Sequence, residues 1–407
     1  MKLSMLSKLR NLHRYFYQVP WCVPTWGWKE FCVTMNCILT GHLSKGPYPR
    51  RFADAVKDYL GIAYALHTNR GRVAIELALR AIGLDKNHDV ILPSYICHSV
   101  LDAVVRVGAR PVFADVGPDL HLTPETVKTA LTAQTRCVIV PHLFGNTAPI
   151  DEIETMLEGT GIALIDDAAQ SFGSRRAGRL VGTFGDCGII SCGPGKTLAG
   201  AAGGLLVTNN REIYERAATI SLCQENAIVV MQRVLSFWIW RRLRKYTLPF
   251  KIIMDRVFGV KEETPYVACV MSNLDARIAL EQFYALGKNT QKRRYNATIL
   301  LKALGPLANY NISDLSHNST LVKLVLVLPP KEPTPNQVIN LLSNAGIECQ
   351  KGYVPLHLYM RNVSVFLPFT DNLWDRVVCI PVDIEYKGIK KPLPFTEKRP
   401  KFESSQV

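Results

Sequence analysis

The 407-residue chain has no unbroken apolar run long enough to span a bilayer, no Cys-x-x-Cys pair, no internal repeat and no low-complexity tract. Its longest apolar stretch, Ala227 to Trp240, is interrupted by Gln232 and Arg233, which excludes it as a spanning helix. The N-terminal MKLSMLSKLRNLHRYF places basic residues where a secretion signal needs a continuous apolar segment, so a soluble, cytoplasmic protein is expected. Eleven Cys, an odd number without paired spacing, argue against a zinc knuckle or a disulfide framework and for a reducing compartment. The 27 Gly and 24 Pro are scattered singly and read as turn punctuation.

Acidic residues are also short, 34 against 48 Lys and Arg, for a net charge of +14. That balance favours an anionic small molecule, a nucleic acid or an acidic membrane surface as partner. Nucleic acid is disfavoured, because no recognition motif accompanies the charge. The excess sits in residues 1–51, in 233–261 and in the tail after Lys387, while most of the middle is near balance. A hydrophobic content of 48% is ample for a large core and a second, smaller domain.

From about residue 60 to 210, short β-rich runs alternate with helix-like segments. The runs are Val90–Leu92, Pro111–Phe113, Cys137–Val140, Ala163–Ile165, Gly188–Ile190 and Leu205–Val207. Continuous apolar strands of this kind are buried on both faces. Val73, Ala74, Leu77, Ala78 and Ala81 recur at helical spacing, as do Val100, Val104 and Val105. The expected architecture is α/β, a mostly parallel sheet between helices, with the ligand site at the carboxyl ends of the strands.

Two strand ends carry the chemistry. After Ile165 comes Asp166-Asp167-Ala168-Ala169-Gln170-Ser171, and after Ile190 comes Ser191-Cys192-Gly193-Pro194-Gly195-Lys196-Thr197. Taken singly, Asp167 reads as a helix cap and Lys196 as a solvated loop lysine. Together they match the needs of pyridoxal phosphate. That cofactor requires a lysine amine to form a Schiff base and a carboxylate to keep the ring nitrogen protonated. It also requires a phosphate cradle at a helix N-terminus, and Asn69-Arg70-Gly71-Arg72 before the amphipathic segment 73–82 has that form. Ser191 can add a hydroxyl.

In this ordered set the chain resembles the DegT/DnrJ/StrS family of pyridoxal-phosphate-dependent nucleotide-sugar aminotransferases, a branch of fold type I. The likeness runs from about Gly46 to about Val382. Its most specific pieces are residues 163–173, Gly182-Thr-Phe-Gly-Asp186, then Ser191, Lys196 and Gly203-Gly204. Arg110–Val116, Pro141-His142-Leu-Phe-Gly145 and Tyr353-Val-Pro-Leu-His357 agree with it. The resemblance implies a smaller C-terminal α/β domain, transamination with Lys196 as the catalytic lysine, and Asp167 paired with the pyridine nitrogen. It further implies that Gln170 and Ser191 hold the ring and phosphate, and that the protein is a homodimer. The implied substrates are an amino-acid donor, glutamate, and a nucleotide-linked keto-sugar acceptor in glycan or polysaccharide synthesis. Two other readings stand beside it, a pyridoxal phosphate enzyme of another reaction type such as elimination or dehydration, and a non-catalytic relative acting through membrane or partner binding.

The chain departs from the family pattern in three places. Arg70-Gly71-Arg72 replaces the usual small hydroxyl residues, so Arg72, with Arg70, is expected to grip the phosphate. The Asn-x-Arg that a partner subunit normally contributes falls on Ala268-Cys269-Val270. The aromatic residue that stacks on the ring falls at Cys97, leaving Tyr95 or His98 to cover it. His142 and His357 read equally as structural histidines or as substrate contacts.

Five segments are expected: a basic aromatic arm (1–45), a cofactor-binding domain (46–220), a basic aromatic insertion (221–267), a connecting helix with the small domain (268–386) and a basic tail (387–407). The arm has Trp21, Trp26, Trp28 and Phe31, and the insertion has Phe237, Trp238 and Trp240 beside Arg241, Arg242, Arg244 and Lys245. Such segments either pack on the body or the partner subunit, or lie against a membrane.

Overall fold

The computed structural model describes residue 21 and residues 26–238, 266–360 and 365–383. The tail beyond 387, most of the arm before Trp26 and the Arg-rich half of the insertion, Trp240 included, lie outside the described residues.

Each of the six β-rich runs between residues 60 and 210 is a strand. Strands β1 (Tyr64–Thr68), β2 (Asp89–Pro93), β3 (Arg110–Ala114), β4 (Thr135–Pro141) and β5 (Ala163–Asp167) are followed by a short hairpin, β6 (Arg175–Arg176) and β7 (Arg179–Leu180). Then come β8 (Cys187–Ser191) and β9 (Gly204–Thr208). Seven of these form one sheet in the order β3-β2-β4-β5-β8-β9-β1. The pairings from β3 to β8 are parallel, and β9 alone runs against both its neighbours.

Side-chain alternation sorts the strands' residues to two faces. Leu92, Ile139, Ile165, Ile189 and Leu206 pack beneath α3 (Gly71–Ile82), α4 (His98–Val107) and α7 (Arg211–Thr219), which follow α1 (Trp28–Leu39) and α2 (Tyr48–Leu60) in the chain. On the other face Ile91, Val138, Val140 and Leu164 meet α5 (Pro124–Ala130) and α6 (Ile150–Leu157). There too Ile190, Leu205 and Val207 meet α2 and α8 (Asn273–Tyr284). Both faces are therefore dry, as the unbroken apolar runs require.

Helix α3 begins where Arg70 is extended and Gly71 turns into the helix, and it stops at Gly83, whose φ of +88° an L side chain disfavours. Its first turn thus faces the carboxyl end of β8, and this places the candidate site.

After α8 come α9 (Leu286–Leu304) and an antiparallel three-stranded sheet. Its strands are β12 (Lys323–Val327), β13 (Gln350–Lys351) and β14 (Val377–Pro381), preceded in the chain by the short pair β10 (Cys223–Gln224) and β11 (Cys269–Val270). Helix α10 (Pro335–Asn344) starts at a Thr334/Gln337 capping box and packs on this sheet with α9. The unit is tied to the large sheet's carboxyl edge. Ser94 Oγ lies 2.7 Å from His357 Nδ1, and the Asp115 carboxylate accepts from the N–H groups of Phe369 and Thr370 at 2.9 and 2.7 Å.

Cys223 and Cys269 lie side by side across β10 and β11, their Cα atoms 4.2 Å apart. Asn69 fixes the second of them: its backbone N–H donates to the Cys269 carbonyl at 2.9 Å and its Oδ1 accepts from the Cys269 N–H at 3.3 Å.

Candidate active site

A single cleft at the carboxyl ends of β4, β5 and β8 brings together most of the residues the sequence singled out. Gly71, Arg70 and Arg72 come from the start of α3, and Asp167 from the last position of β5. Gln170 follows on the next turn, Ser191 ends β8, and Lys196 stands on the glycine-rich loop after it. Ile75, Ile96, Val100 and Ile189 supply an apolar wall between these polar groups. Two strand ends three positions apart in sequence logic but adjacent in the sheet thus converge because β5 and β8 are parallel neighbours.

The close packing at Gly71 is decisive for the cradle. A Cβ there would lie 2.9 Å from Ser191 Cβ and 3.1 Å from Ser191 Oγ, so only a bare backbone lets the helix N-terminus close against that hydroxyl. First-turn N–H groups have no intrahelical acceptor and attract an anion.

Asp167 is buried, and its carboxylate accepts from the Ala169 N–H at 3.0 Å. Burial pushes its pKa up, opposed by the Lys196 charge and the Ala169 hydrogen bond. The carboxylate therefore gains from a cationic partner in the cleft. Behind it, His142 donates its own N–H to the Asp167 carbonyl at 3.1 Å, and its ring lines the cleft. His142 Nδ1 accepts from the Ala148 N–H at 2.9 Å, so the ring proton is on Nε2, 2.9 Å from Asp166 Oδ1. Asp166 Oδ2 also receives the Gly182 and Phe184 N–H groups. His142 is thus locked into the base of the site.

Gln170 accepts from the Phe144 N–H at 3.4 Å and donates to the Tyr353 hydroxyl at 3.1 Å, so the smaller unit reaches the cleft through Tyr353. Burial drives the Tyr353 hydroxyl's pKa far up, which keeps it a neutral donor and acceptor.

The structure does not bring His98 to the cleft. It opens α4, its Nδ1 lies 2.7 Å from Asp102, and its side chain is more than half exposed, leaving Ile96, Cys97 and Ser99 on the cleft wall. Tyr95 is also turned away, fully buried, its hydroxyl accepting from the Tyr353 N–H at 3.2 Å. His357 is a structural histidine, bonded to Ser94 and 3.2 Å from Asp371.

The two arginines differ. Arg72 is held by Asp102 at 3.0 Å and lies over the Tyr266 ring, 5.2 Å from its centroid. The Arg70 guanidinium makes no hydrogen bond or ion pair among the described residues. It stands between the cleft and a second cavity lined by Asn69, Gln224, Tyr266 and Val267. The sequence did not single out Tyr266, gave Asn69 only as part of the turn before α3, and named His142 and Asp166 without joining them. The Pro141-His142-Leu-Phe-Gly145 segment was the one hint of that pair.

The profile of the DegT/DnrJ/EryC1/StrS aminotransferase family matches residues 29–388. The chain belongs to that family. Over 363 residues, 88% of this chain and 89% of the relative, it is 25% identical to GDP-perosamine synthase of Vibrio cholerae. The solved aminotransferase TlmJ of Streptoalloteichus hindustanus superposes with a TM-score of 0.75 over 93% of this chain and 97% of its own, at 21% identity. NtdA of Bacillus subtilis, solved with bound cofactor PMP, superposes with a TM-score of 0.67 over 91% of this chain and 79% of its own, at 20% identity.

The fold is that of fold type I, and the protein is an aminotransferase whose family uses pyridoxal phosphate. The residues present fit that cofactor. The Gly71–Ser191 approach offers a cradle that any side chain at 71 would fill, and Asp167 offers a buried carboxylate in want of a cation.

Proposed function

We propose that this aminotransferase moves an amino group from glutamate to the keto carbon of a nucleotide-linked sugar in glycan or polysaccharide synthesis, acting in the cytoplasm as a homodimer. The observation that carries the reading is the convergence of Lys196, Asp167 and the Gly71–Ser191 cradle in one cleft. The relation to GDP-perosamine synthase over nearly the whole chain supports a nucleotide-linked acceptor. So does the net charge of +14, which suits a diphosphate.

When bound, pyridoxal phosphate supplies the electron sink that amino transfer needs. In this reading Lys196 Nζ holds the cofactor covalently at rest. Released from that bond, the same Nζ would be the base that takes the proton from the donor's α-carbon and the acid that gives it back. Asp167 holds a proton on the ring nitrogen, and its buried position makes that pairing worth more than it would be in water. The first turn of α3 and Ser191 Oγ bind the phosphate, and Gln170, fixed by Tyr353, orients the ring.

Arg70, rather than the engaged Arg72, is the arginine placed to reach an anionic group of the cofactor or acceptor. The exposed Val229 and Val267 on the rim of the second cavity, 51% and 64% accessible, support a partner subunit seated there.

The test is to load the purified protein with pyridoxal phosphate and add glutamate. Stoichiometric 2-oxoglutarate, followed by amination of a nucleotide-linked keto sugar, is the expected result. Release of ammonia, or no change with glutamate, contradicts it.

A further inference from the structure

The loop that carries Lys196 has little to hold its own shape. Gly193, Gly195 and Gly200 leave its backbone permissive, and its internal hydrogen bonds are Lys196 N–H to the Gly193 carbonyl and Gly200 N–H to the Leu198 carbonyl. Cys192 anchors one end through its N–H on the Gly203 carbonyl at 2.9 Å. A lysine that must present its amine at a fixed point needs more restraint than this.

Leu198 is buried in the core beneath the loop, and further restraint comes from the N-terminal arm. Trp26, only 2% exposed, donates its indole N–H to the Ala199 carbonyl at 2.6 Å, across 173 residues of chain. The indole is in turn held by the insertion: Phe237 meets it edge-on at 5.8 Å and Trp238 is tilted against it at 5.5 Å. Both aromatics stand on the helix over residues 227–238, which also packs Val230 and Val234 against Ala201 of the lysine loop.

That helix is fastened independently. The Arg233 guanidinium bridges Glu225 and the buried Asp275 at the start of α8, and Trp238 Nε1 reaches Thr34 on α1 at 3.3 Å. Helix α1 is itself pinned by Glu30, which accepts from Gln282 of α8 and from the Gly27 N–H, both at 2.7 Å. The described aromatics at positions 26, 31, 237 and 238 are therefore packed on one another and on the body.

We propose that Trp26 is a positioning residue for the Lys196 loop, and that the arm and the insertion helix act together as a clamp on the outer side of the active site. The proposal rests on Lys196 being the cofactor lysine. Tryptophan suits the task because its large ring fills the space and its single N–H can only donate. Phenylalanine keeps much of the shape and leaves the Ala199 carbonyl without its donor.

Hydrogen exchange of the cofactor-free protein tests the clamp without reference to catalysis. Trp26→Phe is expected to raise exchange in residues 193–203 about tenfold, the effect of one lost buried hydrogen bond. Phe237→Leu, which loosens the indole but keeps its N–H, should raise it less, and Leu39→Ser, at an exposed site, not at all. In the loaded protein Trp26→Phe should also move the pH midpoint of the visible absorbance of the lysine-bound cofactor. Unchanged exchange in 193–203 in both Trp26→Phe and Phe237→Leu, or a rise spread evenly over the chain, overturns the clamp. Borohydride labelling on a lysine other than Lys196 refutes the reading of the site while leaving the exchange result to stand by itself.

Discussion

Ser191 stands 2.9 Å from the point where a side chain on Gly71 would begin, closer than unstrained packing permits. Two segments 120 residues apart are thereby pressed into one anion cradle, and a methyl group is enough to part them. Gly71→Ala is expected to weaken retention of pyridoxal phosphate about ten- to a hundredfold, as for the loss of charge-assisted hydrogen bonds. Equilibrium dialysis against the parent measures it.

Asp167 gives a stability test with the opposite sign from its effect on binding. Burial raises its folded pKa above the usual carboxylate value. Its contribution to stability is then full below the unfolded value and lost as pH rises through the folded one, so at neutral pH the ionised carboxylate destabilises the cofactor-free protein. Asp167→Asn should raise the melting temperature of that form at pH 7 to 8, with the gain vanishing towards pH 4. The same variant should bind cofactor that is catalytically inert. Thermal melts across pH, with and without cofactor, check both halves.

Arg70 and Arg72 flank the same glycine but are differently employed. Arg72→Ala breaks an ion pair with Asp102 and a ring contact with Tyr266, so it should lower the melting temperature with a modest effect on affinity. Arg70→Ala removes a guanidinium without a described partner and should leave stability near parental. Its KM for an anionic acceptor should rise about tenfold or more, and steady-state kinetics at two salt concentrations separate the two variants.

His142 and Asp166 form a pair buried without solvent contact. His142→Phe leaves the Asp166 oxygen and the Ala148 N–H unpaired, and is expected to cost about 3–5 kcal/mol of stability, read from denaturant unfolding.

Much of this site was legible in the sequence because its parts sit at strand ends. Continuous apolar runs fixed where β5 and β8 stop, and Asp167, Ser191 and Lys196 follow those stops directly. The fold class was legible for the same reason. What escaped notice depends on contacts between distant segments. Strand β1 has a mixed pattern because it pairs only at the sheet's edge with β9. Cys223 meets Cys269 across β10 and β11, and Trp26 bonds directly to the Ala199 carbonyl across 173 residues, neither of which leaves a periodic trace. His98 looked like a cleft residue by position, but α4 begins at that residue, and its first turn swings the ring to Asp102.

The central claim is that the amine of residue 196 holds the coenzyme. Borohydride reduction of the loaded protein, followed by peptide mapping, tests it most directly. A pyridoxyl group on Lys196, absent from a Lys196→Ala variant, is the predicted result. An unlabelled 196 peptide, or a label on another lysine, contradicts the account.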